Sequence, residues 1–208
     1  MIFNETDARS FIEGLGGDEA IQKLEVFAEE LRAENARQNL VSEDSLKDVW
    51  VRHFADSTQL ISHVPRETRG AWFDLGSGAG FPGLVLAILR PDEPTVLIES
   101  RKRRIEWLEA MARKLELTNC EIEGKRLELV DTRKAAIISA RAFAPLPKLL
   151  SLSSRFSTAC TRWVLPKGRS AAQQMQELPR KLRKMFHVEH SITDAEAGIV
   201  VGQGKVEA

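Results

Sequence analysis

Between Phe73 and Leu89 the chain reads FDLGSGAGFPGLVLAIL. An acid, Asp74, stands near the end of an apolar run, glycines follow at 76, 78, 80 and 83, and a second apolar run begins behind Pro82. Glycines so spaced let the backbone come into close contact with a bound molecule. Another acid, Glu99, closes the next apolar run, TVLIES, where a carboxylate can accept hydrogen bonds from the two hydroxyls of a ribose.

Two frames fit the loop. Gly78-x-Gly80-x-x-Gly83 satisfies the dinucleotide fingerprint, whereas Asp74-x-Gly76-x-Gly78-x-Gly80 sets an acid ahead of the turn. The dinucleotide frame needs free N–H groups at a helix start to hold a pyrophosphate, and Pro82 removes one there. Asp74 would also repel the phosphates. S-adenosylmethionine has no phosphate, and its ammonium and sulfonium favour a nearby carboxylate. The loop therefore predicts an S-adenosylmethionine site that includes Asp74, Gly76, Gly78 and Glu99, with a nicotinamide-dependent oxidoreductase as the disfavoured rival. A turn merely capped by Asp74 is the alternative without a ligand.

Such a loop needs a strand before it and a helix behind it. From Ala71 onward, short apolar runs (AWFDL, TVLIE, CEIEG, AAIISA, RWVLP) alternate with helical segments such as Arg103 to Leu117, where Ile105, Leu108, Ala112 and Leu115 share a face. This alternation predicts an α/β fold, a mostly parallel sheet with helices on both faces. FHVEHSI and GIVVGQGKV lie close enough to pair as an antiparallel hairpin, for about seven strands in all. Ahead of the sheet, Asp18 can cap a helix carrying Ile21, Leu24, Phe27 and Leu31 on one side. A second helix starts near Asp44 or Ser45, carries Leu46, Val49, Trp50 and Phe54, and fades before Pro65. Residues 1–66 thus read as a helical extension and 67–208 as the ligand-binding core.

Composition narrows the class. The 208 residues are 43% hydrophobic, which predicts a packed globular protein. Lys plus Arg equals Asp plus Glu at 30 each, so binding nucleic acid through bulk charge is disfavoured and any such contact must be local. Cys120 and Cys160 form no Cys-x-x-Cys pair, and neither a metal nor a disulfide framework is expected. No basic segment followed by an apolar one opens the chain, so the expected location is cytoplasmic.

Absences constrain the methyl acceptor. Enzymes that methylate exocyclic amines of bases commonly carry an Asn/Asp-Pro-Pro-Tyr loop, and this chain has no tyrosine. Pyrimidine C5 chemistry needs a cysteine nucleophile, typically after proline, but Cys120 follows Asn119 and Cys160 follows Ala159. A small molecule or a protein side chain remains a rival acceptor, and a non-catalytic cofactor sensor a rival function.

Six blocks carry a family resemblance: QNLVS (38–42), VRHFADS (51–57), FDLGSGAGFPG (73–83), KRLE (125–128), SARAFAPL (139–146) and LPKG (165–168). Together they resemble the bacterial 16S ribosomal RNA guanine-N7 methyltransferases, the RsmG or glucose-inhibited division protein B family. The resemblance implies a Rossmann-like class I methyltransferase fold with an N-terminal helical extension. It also implies S-adenosylmethionine as cofactor and transfer of its methyl to N7 of a specific guanine in 16S ribosomal RNA, within the small subunit or an assembly intermediate, by a monomer. Cofactor contacts are carried over to Gly76, Phe81, Leu127, Glu128 and Arg141. Leu127 reads equally as a core leucine. Where the family has an acid before the SARAF block, Ala135 and Ala136 stand here, which leaves any contact of that acid unfilled.

Guanine N7 has an in-plane lone pair and no proton, so its attack on a sulfonium methyl needs alignment rather than a general base. Arg141 is accordingly a positioning group. Candidate RNA contacts are Arg52 and His53, Lys102 and Arg103 within RKRR, and Lys167. His53 also reads as a core histidine on the face of Trp50, and PRKLRK (179–184) as a solvated helix face.

Overall fold

In the computed structural model, which describes residues 1–207, the first helix α1 runs Glu5–Gln38. It starts well before Asp18 because Asn4 caps it, its side chain accepting the Asp7 N–H at 2.9 Å. Gly17, at φ 67°, breaks the helical geometry between the two halves. That break is why the periodicity after Asp18 reads as a separate helix. The second expected helix is fragmented: α2 (Glu43–Lys47, capped by Ser42), a π-helical turn over Trp50–Ala55, α3 (Asp56–Thr58) and a 3-10 turn over Gln59–His63. It stops before Pro65, as the proline requires.

All seven expected strands are present: β1 (Trp72–Leu75), β2 (Thr95–Ile98), β3 (Cys120–Glu123), β4 (Ile137–Ser139), β5 (Arg162–Gly168), β6 (Phe186–His190) and β7 (Gly198–Gln203). They form one sheet in the order β3-β2-β1-β4-β5-β7-β6. The first five are parallel, and β7 enters antiparallel between β5 and β6. Helices α4 (Gly83–Leu89), α5 (Lys102–Lys114), α6 (Leu146–Ser153), α7 (Ala171–Gln176) and α8 (Arg180–Arg183) connect them. Helix α5 ends before Leu117, where Glu116 turns to φ 53°.

Strand alternation sorts the core into two layers. Phe73, Leu75, Val96 and Ile98 pack with Leu146, Leu149 and Phe156 on one face. On the other, Leu97 joins Leu84, Val85 and Leu108, and Leu24, Phe27 and Phe54 of the helical extension complete the same cluster. The extension therefore shares its core with the sheet. No helix among the described residues is long and apolar enough to cross a membrane.

Strand order reverses between β1 and β4, so their carboxyl ends open a crevice at the switch point. The glycine loop after β1 and the Arg141 loop after β4 meet there.

Candidate active site

The loop at the end of β1 is held from both sides. Glu99, buried just past β2, accepts the N–H groups of Ser100 (2.7 Å) and Arg101 (2.8 Å) on Oε1 and that of Gly78 (3.0 Å) on Oε2. Gly76 has φ 71°, and a Cβ there would sit 2.4 Å from the Phe143 ring. Only glycine serves at that point. Between these groups lies a crevice of about 220 Å³ whose lining includes Gly76, Glu99, Leu127 and Phe143, with Arg101, Arg104 and Lys125 as its cations.

Asp74 does not reach this crevice. Alternation turns it to the α4 side with Trp72, and it is fully buried. Its Oδ1 accepts the Ser139 hydroxyl at 2.9 Å, across the strand pair, and its Oδ2 accepts the Gly83 N–H at 3.1 Å, at the first turn of α4. A Cβ on Gly83 would meet that oxygen at 2.8 Å, so glycine admits the approach. Burial pushes the Asp74 carboxyl up to about 6, against the pull of these hydrogen bonds. The direct cofactor contact expected of Asp74 is thus replaced by a clamp between strand and helix.

Phe81 likewise stands outside the crevice lining. Its ring is buried and stacks on Phe27 (5.1 Å) and on His53 (4.6 Å), so only its backbone is left to face a cofactor. Leu127 is both buried and part of the crevice lining, which unites its two readings. Glu128 is exposed and stands outside the lining. In RKRR, the crevice takes Arg101 and Arg104, one helical turn apart, rather than Lys102 and Arg103. Lys102 is exposed beside Glu106, and Arg103 donates to the Arg37 carbonyl at 2.9 Å. Ala135 and Ala136 lie at the opposite, amino end of β4, where they bond to Phe156 and Ala71, so the missing acid leaves no gap in the crevice.

Past Phe143 lies a larger cavity of about 730 Å³ that collects Arg52, His53, Asp56, Arg141 and Lys167. Ala142 and Phe143 line both spaces and form the wall between them. Ala142 is held at φ 53°, a strained value for a residue with a side chain.

Arg141 sits at the junction over the Phe81 ring, 5.0 Å from its centre. One of its nitrogens lies 3.0 Å from His53 Nδ1, and another 3.5 Å from Asp56 Oδ2. A guanidinium only donates, so Nδ1 accepts, and the Nε2 proton of His53 points to the Ser45 hydroxyl at 3.0 Å. Burial, with Arg141 and Arg52 adding to it, takes His53 down to about 3. The ring is therefore neutral and props Arg141 from the lining of the cavity. Arg52 does reach the cavity, half-exposed and 3.4 Å from Asp194. Lys167 donates to the Ala144 carbonyl at 2.7 Å, and burial lowers it to about 8.

Asp56, Ala142 and Phe143 were not singled out by the sequence reading. All three lie inside blocks that it quoted, and each gains meaning only when β4 lies beside the π-helical turn.

The profile describing rRNA small subunit methyltransferase G matches residues 20–199. The chain belongs to that family. A ribosomal RNA small subunit methyltransferase G of Erythrobacter litoralis is 56% identical over 100% of both chains, and that of Sphingopyxis alaskensis is 52% identical over 88% of this chain and 78% of its own. Among solved structures, an S-adenosylmethionine-dependent methyltransferase from Aquifex aeolicus shares the fold with TM-score 0.57 at 13% identity, covering 85% of this chain and 97% of the other.

By family the chain is a ribosomal RNA small-subunit methyltransferase, and its fold is that of an S-adenosylmethionine-dependent one. The crevice suits that cofactor. Oε1 of Glu99 is filled by two N–H groups, whereas Oε2 has one such partner among the described residues and keeps a lone pair for a ribose hydroxyl. Leu127 offers an apolar patch of lining that an adenine could pack against.

Proposed function

We propose that the chain methylates N7 of one guanine in small-subunit ribosomal RNA, with the adenosyl group in the 220 Å³ crevice and the guanine in the 730 Å³ cavity. The observation that carries this reading is the shared wall: Ala142 and Phe143 line both spaces, and Arg141 stands beside that wall. Gly76, Gly78 and Glu99 hold the cofactor with Leu127, the backbone at Phe81 and, at the rim, Glu128, while Arg141 reaches it from the junction of the two spaces.

When bound, S-adenosylmethionine supplies the methyl on a sulfonium. N7 donates its own lone pair, the electrons of the broken carbon–sulfur bond stay on sulfur, and no proton is released. A general base is therefore unnecessary. This agrees with a cavity whose one histidine is neutral and already bonded through both nitrogens. Arg141 orients the base, and Arg52 and Lys167 hold RNA phosphate. Lys102 and Arg103 extend the contact along the outside of α5. Residues 1–66 form the extension that supplies His53 and Asp56, and the enzyme acts as a monomer on the small subunit or an assembly intermediate.

The test is nucleoside analysis of unmethylated small subunits after reaction. The expected product is 7-methylguanosine at one site, with Arg141→Ala lowering turnover more than Arg52→Ala does. Methyl on a pyrimidine, an exocyclic amine or protein would overturn the acceptor assignment.

A further inference from the structure

The larger cavity holds two carboxylates, and they differ in what they have left to offer. Asp194 is committed: one oxygen accepts the Glu196 N–H at 3.0 Å and the other faces Arg52 at 3.4 Å. Asp56 is committed on one side only. Its Oδ1 accepts the Thr193 hydroxyl (2.9 Å) and the Gln59 amide (2.8 Å), which fills both lone pairs and fixes the plane of the carboxylate. Its Oδ2, lining the cavity, has Arg141 at 3.5 Å as its one partner among the described residues, too long for a strong hydrogen bond. The pair thus presents an acceptor, Asp56 Oδ2, next to a donor, the Arg141 guanidinium.

Guanine offers the complement on its Watson–Crick edge: a donor at N1–H next to an acceptor at O6. Adenine puts an unprotonated N1 beside an amine, and cytosine an unprotonated N3 beside an amine. Both would set a lone pair against the carboxylate and an amine against the guanidinium. Uracil has an N–H beside a carbonyl but no imidazole ring. Resting on the proposed guanine-N7 reading, we infer that Asp56 and Arg141 select the base, with Asp56 Oδ2 accepting N1–H and Arg141 donating to O6. N7 lies on the adjoining edge of the purine, next to O6, and with Asp56 and Arg141 on the Watson–Crick groups it is left free to face the wall beyond which the adenosyl group sits. Asp56 is then the residue that specifies guanine, and His53 sets the direction of Arg141.

The hydrogen bonds on Oδ1 make the substitution Asp56→Asn informative. Two donors hold that position, so the amide oxygen stays there and the NH2 group replaces Oδ2. The variant offers a donor where the enzyme offered an acceptor.

The experiment uses small subunits carrying guanine, hypoxanthine or 2-aminopurine at the target position, since all three keep N7. Hypoxanthine retains N1–H and O6, whereas 2-aminopurine has an unprotonated N1 and no O6. The native enzyme is expected to methylate the hypoxanthine substrate within a few-fold of guanine and the 2-aminopurine substrate about a hundredfold more slowly. Asp56→Asn is expected to lose about tenfold or more on guanine and to raise the 2-aminopurine-to-guanine ratio at least about tenfold, while its affinity for S-adenosylhomocysteine stays unchanged. A variant that was merely misfolded would lose both substrates together and the cofactor with them, and the three-base comparison in the native enzyme then decides. Equal rates on guanine and 2-aminopurine, a hypoxanthine rate more than tenfold down, or an unmoved ratio in a folded variant would overturn the role of Asp56. Failure of the native enzyme to make 7-methylguanosine on guanine would instead overturn the underlying reading.

Discussion

Glu99→Gln separates two tasks that one carboxylate performs. In the native loop its Oε1 receives two backbone N–H groups and its Oε2 receives one, from Gly78 at 3.0 Å. A glutamine keeps its oxygen where two donors point, so its NH2 replaces Oε2 and faces the Gly78 N–H, donor against donor. The first loss falls on the cofactor: a ribose hydroxyl gives up a charge-assisted acceptor, worth about 1.5–3 kcal/mol. At about 1.4 kcal/mol per decade, the dissociation constant for S-adenosylmethionine rises roughly tenfold to a hundredfold. The second loss falls on the free protein, because a buried N–H left without a partner costs about 1–3 kcal/mol. Calorimetric titration reads the first, and chemical denaturation without cofactor reads the second. An unchanged dissociation constant in a folded variant would remove Glu99 from the ribose site. Unchanged stability would show that the Gly78 bond contributes nothing to the loop.

Two further outcomes follow from the same region. The folded-state value of Asp74, about 6, lies above its ordinary 3.8, so the native state holds this proton more tightly than the unfolded chain. Its contribution favours folding below about pH 4 and is lost as pH rises through about 6, a span of about 3 kcal/mol. Denaturation curves from pH 4 to pH 8 should show that slope in the native protein and not in Asp74→Asn, and parallel profiles would refute it. Gly76→Ala places a methyl 2.4 Å from the Phe143 ring at φ 71° and should abolish cofactor binding by pushing the wall into the crevice. A variant that still titrates S-adenosylhomocysteine with native affinity would show that the wall yields at little cost.

The sheet was legible because each strand is a short apolar run bounded by turn residues, and the parallel order followed from helices standing between the runs. The direction of Asp74 was in principle legible too. Trp72, Phe73, Asp74 and Leu75 alternate, and a residue on the face of Trp72 turns toward the next helix rather than toward a ligand beyond the strand end. The aromatic role of Phe81 was not legible, since its partners Phe27 and His53 come from distant segments. Asp56 is of the same kind: its meaning depends on Thr193, Gln59 and Arg141, which only the tertiary fold collects. Local pattern specified the elements, whereas the site resides in contacts between segments far apart in the chain.

The π-helical turn over Trp50–Ala55 gives this segment an unusual relation to changes in chain length. A π turn holds one residue more than an α-helical turn in the same ladder. Deleting a single residue near Val51 would narrow the turn to an α-helical one and leave the flanking residues on the faces they now hold, because the wide turn is what absorbs the extra residue. A single deletion in the regular second half of α1 has no such outlet, and every residue on one side of it would rotate by about 100° around the helix axis. The segment that carries Arg52, His53 and Asp56 is therefore the part of the extension where the residue count can change by one with least effect on what lies beyond it.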